Sequence, residues 1–301
     1  MDTKFLNTFV VVVECGSMAA AARQLNVTPA AVAQQIRALE RQLDAPLIMR
    51  AGRTVTVTAA GARILEPARD LLRNAADLHA VAVDDVVGGE LRIGASITAL
   101  TGILPDILAR TVAKFPQISV FIQPGFSIDL HRAVESGELD AAIVLEAPFA
   151  LPKTCCWKTL REEPLVVLAP KRLAGCDPHE LLATQPLIRY DRNQWGGHLA
   201  DEYLKKAGIS PKERFELNAL NAIAVMVDRG LGVSLVPDWA KPWPEGLHLV
   251  RLALPLDFEP RRIGIVWLRS SIRIRLLTAF VQESRASNLL PSKATASTVG
   301  L

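Results

Sequence analysis

The chain has 301 residues, half of them hydrophobic and 22% charged, with 34 Lys and Arg against 31 Asp and Glu for a net charge of +3. That length points to two or three domains, since one domain usually takes about 100 to 200 residues, and the composition excludes a disordered chain. The opening Met1-Asp2-Thr3-Lys4 reaches only a short apolar run, Val10 to Val13, before Glu14, so neither a signal peptide nor a membrane span fits and a cytoplasmic protein is expected.

Phe5, Leu6, Phe9, Val10 and Val13 recur at helical spacing, and Gly16-Ser17 stops that helix and caps the next, an Ala-rich helix from Met18 to Leu25. Asn26-Val27-Thr28-Pro29 is a turn that also starts a third helix, with Thr28 as cap and Pro29 in the first helical position. Two helices joined in this way are a helix-turn-helix. In the third helix Val32, Ile36, Leu39 and Leu43 form the buried stripe, which turns Ala30, Ala33, Gln34, Arg37 and Arg41 outward. A helix that enters a major groove needs such a face: small residues near phosphate, Gln for adenine, and Arg for guanine or phosphate. A solvated helix face is the plain alternative.

Leu47 to Arg50 and Thr54 to Val57 then flank a tight Ala51-Gly52-Arg53 turn, which reads as a hairpin wing tipped by Arg53. Residues 1–60 carry six Lys and Arg against four Asp and Glu, a net of +2, so position rather than charge marks the DNA-binding face. Phe9, Gly16-Ser17, Ala21-Ala22, Leu25, Thr28 with Val32, Gln35-Ile36, Leu39-Glu40, Leu47, Arg50, and Thr58 with Gly61 together resemble the LysR-type transcriptional regulators. The resemblance implies DNA contacts at Thr28, Pro29, Ala30, Ala33, Gln34, Arg37, Arg50 and Arg53. The chain departs from the family at two of these, with Pro29 where a polar residue is usual and Ala33 where Ser is.

From Thr58 to about Val87, Ile64, Ala68, Leu71, Ala75, Leu78 and Ala82 are spaced as the a and d positions of a coiled coil. They predict either a seam between two copies or packing on the protein's own core. The family resemblance implies the dimer, with further assembly to a tetramer, and Pro67 inside the stretch predicts a kink. The expected divisions are a winged helix-turn-helix over 1–58, a linker helix over 59–87 and an effector-binding domain over 88–301.

Beyond Gly88-Gly89 strands and helices alternate. Strands are expected at 91–95, 119–123, 141–145, 165–169, 215–217, 233–236 and 264–268; helices are expected at 103–115, 128–136, 197–207, 220–229 and 272–283. This α/β pattern predicts largely parallel, covered sheets. A helix ending at Gly before a buried strand occurs twice, at Ser136-Gly137 and at Arg229-Gly230, and suggests two lobes. Lobe I is expected at about 91–161 and 268–286 and lobe II at 162–267, with a disordered tail from 287.

Two such lobes hold a ligand at the carboxyl ends of their strands, where helix N-termini offer free N–H groups to anions. The resemblance, through an effector domain similar to periplasmic binding proteins, implies the same cleft. Ser96, Thr98, Ser127 and Asn218 lie in loops that reach it, and Arg192 is a charge partner for a carboxylate; each also suits an ordinary cap or turn. Neither GxSxG, a phosphate loop ending in GK[ST] nor HExxH occurs, and the five histidines show no ligand spacing. Cys15, Cys155, Cys156 and Cys176 read as reduced thiols, the vicinal pair alternatively as a redox sensor. The function expected is a transcriptional regulator rather than an enzyme, with no cofactor but a small-molecule effector of carboxylate type. Its expected partners are promoter DNA, RNA polymerase and further copies of itself, and no membrane.

Overall fold

Side-chain caps fix the first three helices in the computed structural model, which describes residues 2–51, 54–82, 88–271 and 273–284. The Asp2 carboxylate accepts from the Lys4 N–H at 2.8 Å and opens α1 (Thr3–Cys15), which Gly16 ends at φ 60. Ser17 caps α2 (Met18–Gln24), and Thr28 accepts from the Ala31 N–H at 3.2 Å to open α3 (Pro29–Leu43). Strands β1 (Ile48–Ala51) and β2 (Thr54–Val57) form the antiparallel wing. The Glu40 carboxylate accepts the N–H groups of Leu47 at 2.8 Å and Ile48 at 3.3 Å, which ties α3 to the wing.

Thr58 donates to the Pro46 carbonyl at 2.6 Å and accepts from the Gly61 N–H at 3.0 Å, starting α4 (Ala59–Ala82), within which Pro67 sits. A Cβ on Gly61 would lie 2.1 Å from the Leu47 carbonyl oxygen, so only glycine allows the linker helix to lie this close to the wing. Phe9, Val12, Val32, Ile36, Leu39, Leu47 and Ala68 are the fully enclosed centre of this unit.

The linker stripe divides along its length. Ile64 and Ala68 pack into the unit's own core, whereas Leu71 and Leu78 are 44% and 70% exposed. The packing reading therefore holds for the first turns, and the later turns leave their leucines uncovered within the chain. The wing tip with Arg53, the Arg50 side chain, residues 83–87 and the tail from 285 lie outside the described residues.

Contacts divide the chain into Met1–Val86 and Val87–Leu301. In the second unit β3 (Gly89–Ala95) runs parallel to β4 (Ile118–Pro124) and β5 (Ala141–Leu145). Strand β12 (Arg261–Leu268) returns antiparallel between β5 and β6 (Cys155–Glu163), giving the order β4-β3-β5-β12-β6 for lobe I. Lobe II repeats the plan. Strand β8 (Pro186–Tyr190) is parallel to β9 (Lys212–Leu217), and a parallel bridge from Leu187 to Val233 joins it to β10 (Ser234–Pro237). Both β10 and β11 (Leu249–Ala253) pair antiparallel with β7 (Leu165–Pro170).

The helices of lobe I are α5 (Ile97–Gly102), α6 (Leu104–Lys114), α7 (Ser127–Glu135) and α11 (Ile274–Glu283). Lobe II carries α8 (Pro178–Thr184), α9 (Trp195–Lys206) and α10 (Leu220–Asp228). Each lobe has its own apolar interior, around Leu91, Ile93, Ile143 and Ile265 in lobe I and around Val167, Leu187, Tyr203 and Leu235 in lobe II.

Two expectations change. The sheets are mixed rather than largely parallel, because each lobe closes on strands that come back antiparallel. Residues 261–267 belong to lobe I rather than lobe II, since the whole of β12 pairs with β5 and β6. Strands β6, β8 and β11 and helices α5 and α8 had no counterpart in the sequence reading.

Candidate DNA interface and ligand cleft

On α3 the buried stripe is Val32, Ile36 and Leu39. The opposite face exposes Thr28, Pro29, Ala30, Gln34 and Arg37, while Ala33 is half-buried. Adjacent glutamines separate cleanly: Gln34 faces solvent, and Gln35 turns inward to accept the Thr8 hydroxyl at 2.5 Å. Gln35 therefore fixes α3 on α1, which leaves Gln34 as the amide free to address a base edge. Arg50 lies on β1 by its backbone.

In the second unit a cavity of about 90 Å³ opens between the lobes, several times the ~10–15 Å³ that one water needs. Ser96, Thr98, Ser127 and Asn218 all line it, as do Phe126, Tyr190, Trp195 and Arg261. The Ser96 residue is 7% exposed, makes no capping bond at the start of α5, and its Oγ is buried without a hydrogen-bond partner among the described residues. Ser127 Oγ accepts the Leu145 N–H at 3.1 Å, so its own proton is available to donate. Helices α7, α9 and α10 begin at the cavity without side-chain caps, so their first N–H groups are open to an anion.

Arg192 does not line this cavity. It forms an ion pair with Glu216 at 3.0 Å and another with Glu213 on the edge strand β9, and its bonds to Glu216 and Glu213 raise its pKa. The cation at the cleft is Arg261, 3% exposed, which sequence reasoning missed. Its Nε donates to Glu163 Oε2 at 2.9 Å, and its terminal nitrogens reach Tyr190 Oη at 3.5 Å and Thr98 Oγ1 at 3.4 Å. Burial alone lowers the Arg261 pKa, but Glu163 and Tyr190 more than offset this and hold it above the ordinary value. Glu163, fully buried, also accepts the Ala240 N–H at 3.0 Å and faces Arg161 at 3.3 Å. Burial pushes the Tyr190 hydroxyl up, keeping it a neutral donor.

Trp195 is held by two edge-to-face contacts, at 5.7 Å to Phe149 and 5.9 Å to His131, both from lobe I. Cys155 and Cys156 are free and follow one another on β6, so their side chains leave opposite faces of the sheet. Burial raises the Cys155 pKa, which disfavours the reactive thiolate. Among the described residues no group of three or more His, Cys, Asp or Glu is placed to hold a metal ion, and no helix is long and apolar enough to cross a membrane.

A winged helix-turn-helix followed by a two-lobed cleft defines a DNA-binding transcriptional regulator with a small-molecule sensor. Residues 3–62 match the family model for the bacterial regulatory helix-turn-helix protein of the lysR family, and residues 84–288 match the LysR substrate binding domain. The chain belongs to the LysR-type transcriptional regulators. It is 31% identical over 241 residues to the HTH-type transcriptional regulator CzcR of Bacillus cereus, covering 80% of this chain and 81% of that protein. Among solved structures, an OxyR mutant from Corynebacterium glutamicum is 25% identical with a TM-score of 0.63, over 94% of this chain and 91% of its own. Full-length CbnR complexed with its target DNA shares the fold at a TM-score of 0.64 and 24% identity, over 95% of this chain and 99% of its own.

Proposed function

We propose that the protein works in the cytoplasm as a homodimer, assembling further to a tetramer, that binds promoter DNA through α3 and the wing and alters RNA polymerase recruitment when a carboxylate effector enters the lobe cleft. The observation that carries this reading is the exposed Gln34 and Arg37 face on an α3 whose other side is locked to the core. Leu71 and Leu78, exposed on α4, support the dimer seam, and two copies read a symmetric site with half-sites about a helical turn or a multiple apart. No chemistry on a substrate is assigned to the cleft. It serves as a sensor.

A footprint of the full chain on its own upstream DNA, with and without a metabolite pool, tests the proposal. A short symmetric protected site whose pattern changes with metabolites is the expected result; protection spread without sequence preference and indifferent to metabolites would make the protein an architectural binder instead. Gln34→Ala is expected to relax preference at one or two base pairs, about 1–3 kcal/mol of discrimination. Equal binding to all single-base variants by both proteins removes Gln34 from the reading face. Sedimentation of Leu71→Glu/Leu78→Glu is expected to give monomers, and an unchanged mass places the dimer seam elsewhere.

A further inference from the structure

A recognition helix meets base edges with its N-terminal residues, and on α3 that end is almost bare of hydrogen-bonding groups. Between Thr28 and Gln34 every side chain is a hydrocarbon: Pro29, Ala30, Ala31, Val32 and Ala33. Val32 is buried, whereas Pro29 and Ala30 are exposed, and Ala33, half-buried, is no part of the apolar interior. Residues four apart share a side of a helix, so Pro29 stands beside Ala33 and Ala30 beside Gln34. The backbone adds little. Pro29 has no N–H, and the Ala31 N–H is taken by the Thr28 hydroxyl at 3.2 Å. The Ala30 N–H and the Thr28 hydroxyl proton are the donors left at this end.

In the major groove A, G and C show polar atoms, and T adds a C5-methyl. A polar edge set against Pro29, Ala30 and Ala33 gives up water and gains no partner, while a methyl there covers apolar surface and gains by it. The polar residue and the Ser that the family usually carries at these two positions can bond a base edge; Pro29 and Ala33 cannot. We infer that Pro29, Ala30 and Ala33 make the protein select a pyrimidine in each half-site by its C5-methyl group rather than by its hydrogen-bonding edge. Ala30 and Gln34 lie about 6 Å apart along the axis, so this pyrimidine falls within about two base pairs of the base that Gln34 addresses. 5-Methylcytosine carries the same methyl in the same place and is accepted; uracil and cytosine lack it. The inference rests on α3 being the helix that enters the groove.

Duplexes selected by the full chain from a random pool test it. Each half-site is expected to hold a fixed T·A pair beside the position that Gln34→Ala relaxes. Uracil in place of that thymine is expected to weaken binding about fourfold in one half-site, the effect of one methyl, and about tenfold or more in both. With guanine opposite, 5-methylcytosine is expected to bind close to thymine and plain cytosine close to uracil. A Pro29→Gln/Ala33→Ser variant is expected to bind the thymine and uracil duplexes alike. The inference is overturned if selection returns no fixed T·A pair, if uracil binds as thymine does, if 5-methylcytosine does no better than cytosine, or if the double variant keeps the parent's preference for thymine. Should Gln34→Ala change base preference while uracil changes nothing, α3 still enters the groove and only the methyl contact falls. Should neither have an effect, both fall.

Discussion

The DNA unit and the sensor unit hold their candidate contact groups in opposite ways. On α3, Gln34 and Arg37 are exposed on a helix whose buried side is apolar and fully packed. In the cleft, Ser96 and Arg261 are buried at 7% and 3% exposure, and the Ser96 hydroxyl has no bond at all among the described residues. The difference teaches where stability and recognition are coupled. A surface contact can be lost with little effect on folding, whereas a buried polar group awaiting a ligand costs about 1–3 kcal/mol of desolvation until the ligand arrives.

The comparison is tested most severely at the buried ion pair. Arg261→Ala takes the more buried of its two cations from Glu163, which is 0% exposed and keeps Arg161 at 3.3 Å, and is expected to destabilise the sensor unit by about 3 kcal/mol. All five tryptophans lie between Trp157 and Trp267, so a denaturation curve followed by tryptophan fluorescence reports on that unit. An unchanged midpoint would show that burial in the cleft carries no energetic weight. Gly61→Ala reverses the roles: with a Cβ 2.1 Å from the Leu47 carbonyl oxygen, it is expected to cost the DNA unit about 1–3 kcal/mol. DNA affinity should fall while the tryptophan midpoint stays put; a shift of that midpoint would mean the two units do not fold independently.

Smaller effects sharpen the same contrast. Thr28→Ala removes the cap of α3 and is expected to cost about 1 kcal/mol, seen as a lower helical melting temperature by circular dichroism. The smallest expected change in stability is for Ser96→Ala, within about 0.5 kcal/mol or slightly stabilising, because it deletes a hydroxyl that nothing satisfies. A loss of more than 1 kcal/mol would mean that the hydroxyl already has a partner in the protein.

The DNA unit was legible because its signals are local. Thr28 with Pro29, Gly16 with Ser17, and the stripe Val32, Ile36, Leu39 each act within a few residues of themselves, and the structure places them as caps, turn and core. The cleft was legible only where it used loop ends, at Ser96, Thr98, Ser127 and Asn218. Arg261 was invisible because its partner Glu163 stands 98 residues away. Arg192 was misjudged for the same reason: β9 brings Glu213 and Glu216 beside it and occupies its charge. Strand β6 was missed because its sequence, Cys155 to Glu163, is half polar and lies at a sheet edge, where apolar alternation is not enforced.

The register of β6 against β12 has a mechanical consequence. Glu163 and Arg261 are directly paired neighbours, and one is the last residue before the chain leaves lobe I, the other the first after it returns. Lobe II is thus an insertion whose two ends are side by side like a blade on a pin, with Ala240 also packed into the interior of lobe I. Arg261, at the pin, reaches Thr98 on one lobe and Tyr190 on the other, so a rotation of lobe II that preserves one of these contacts has to stretch or close the other.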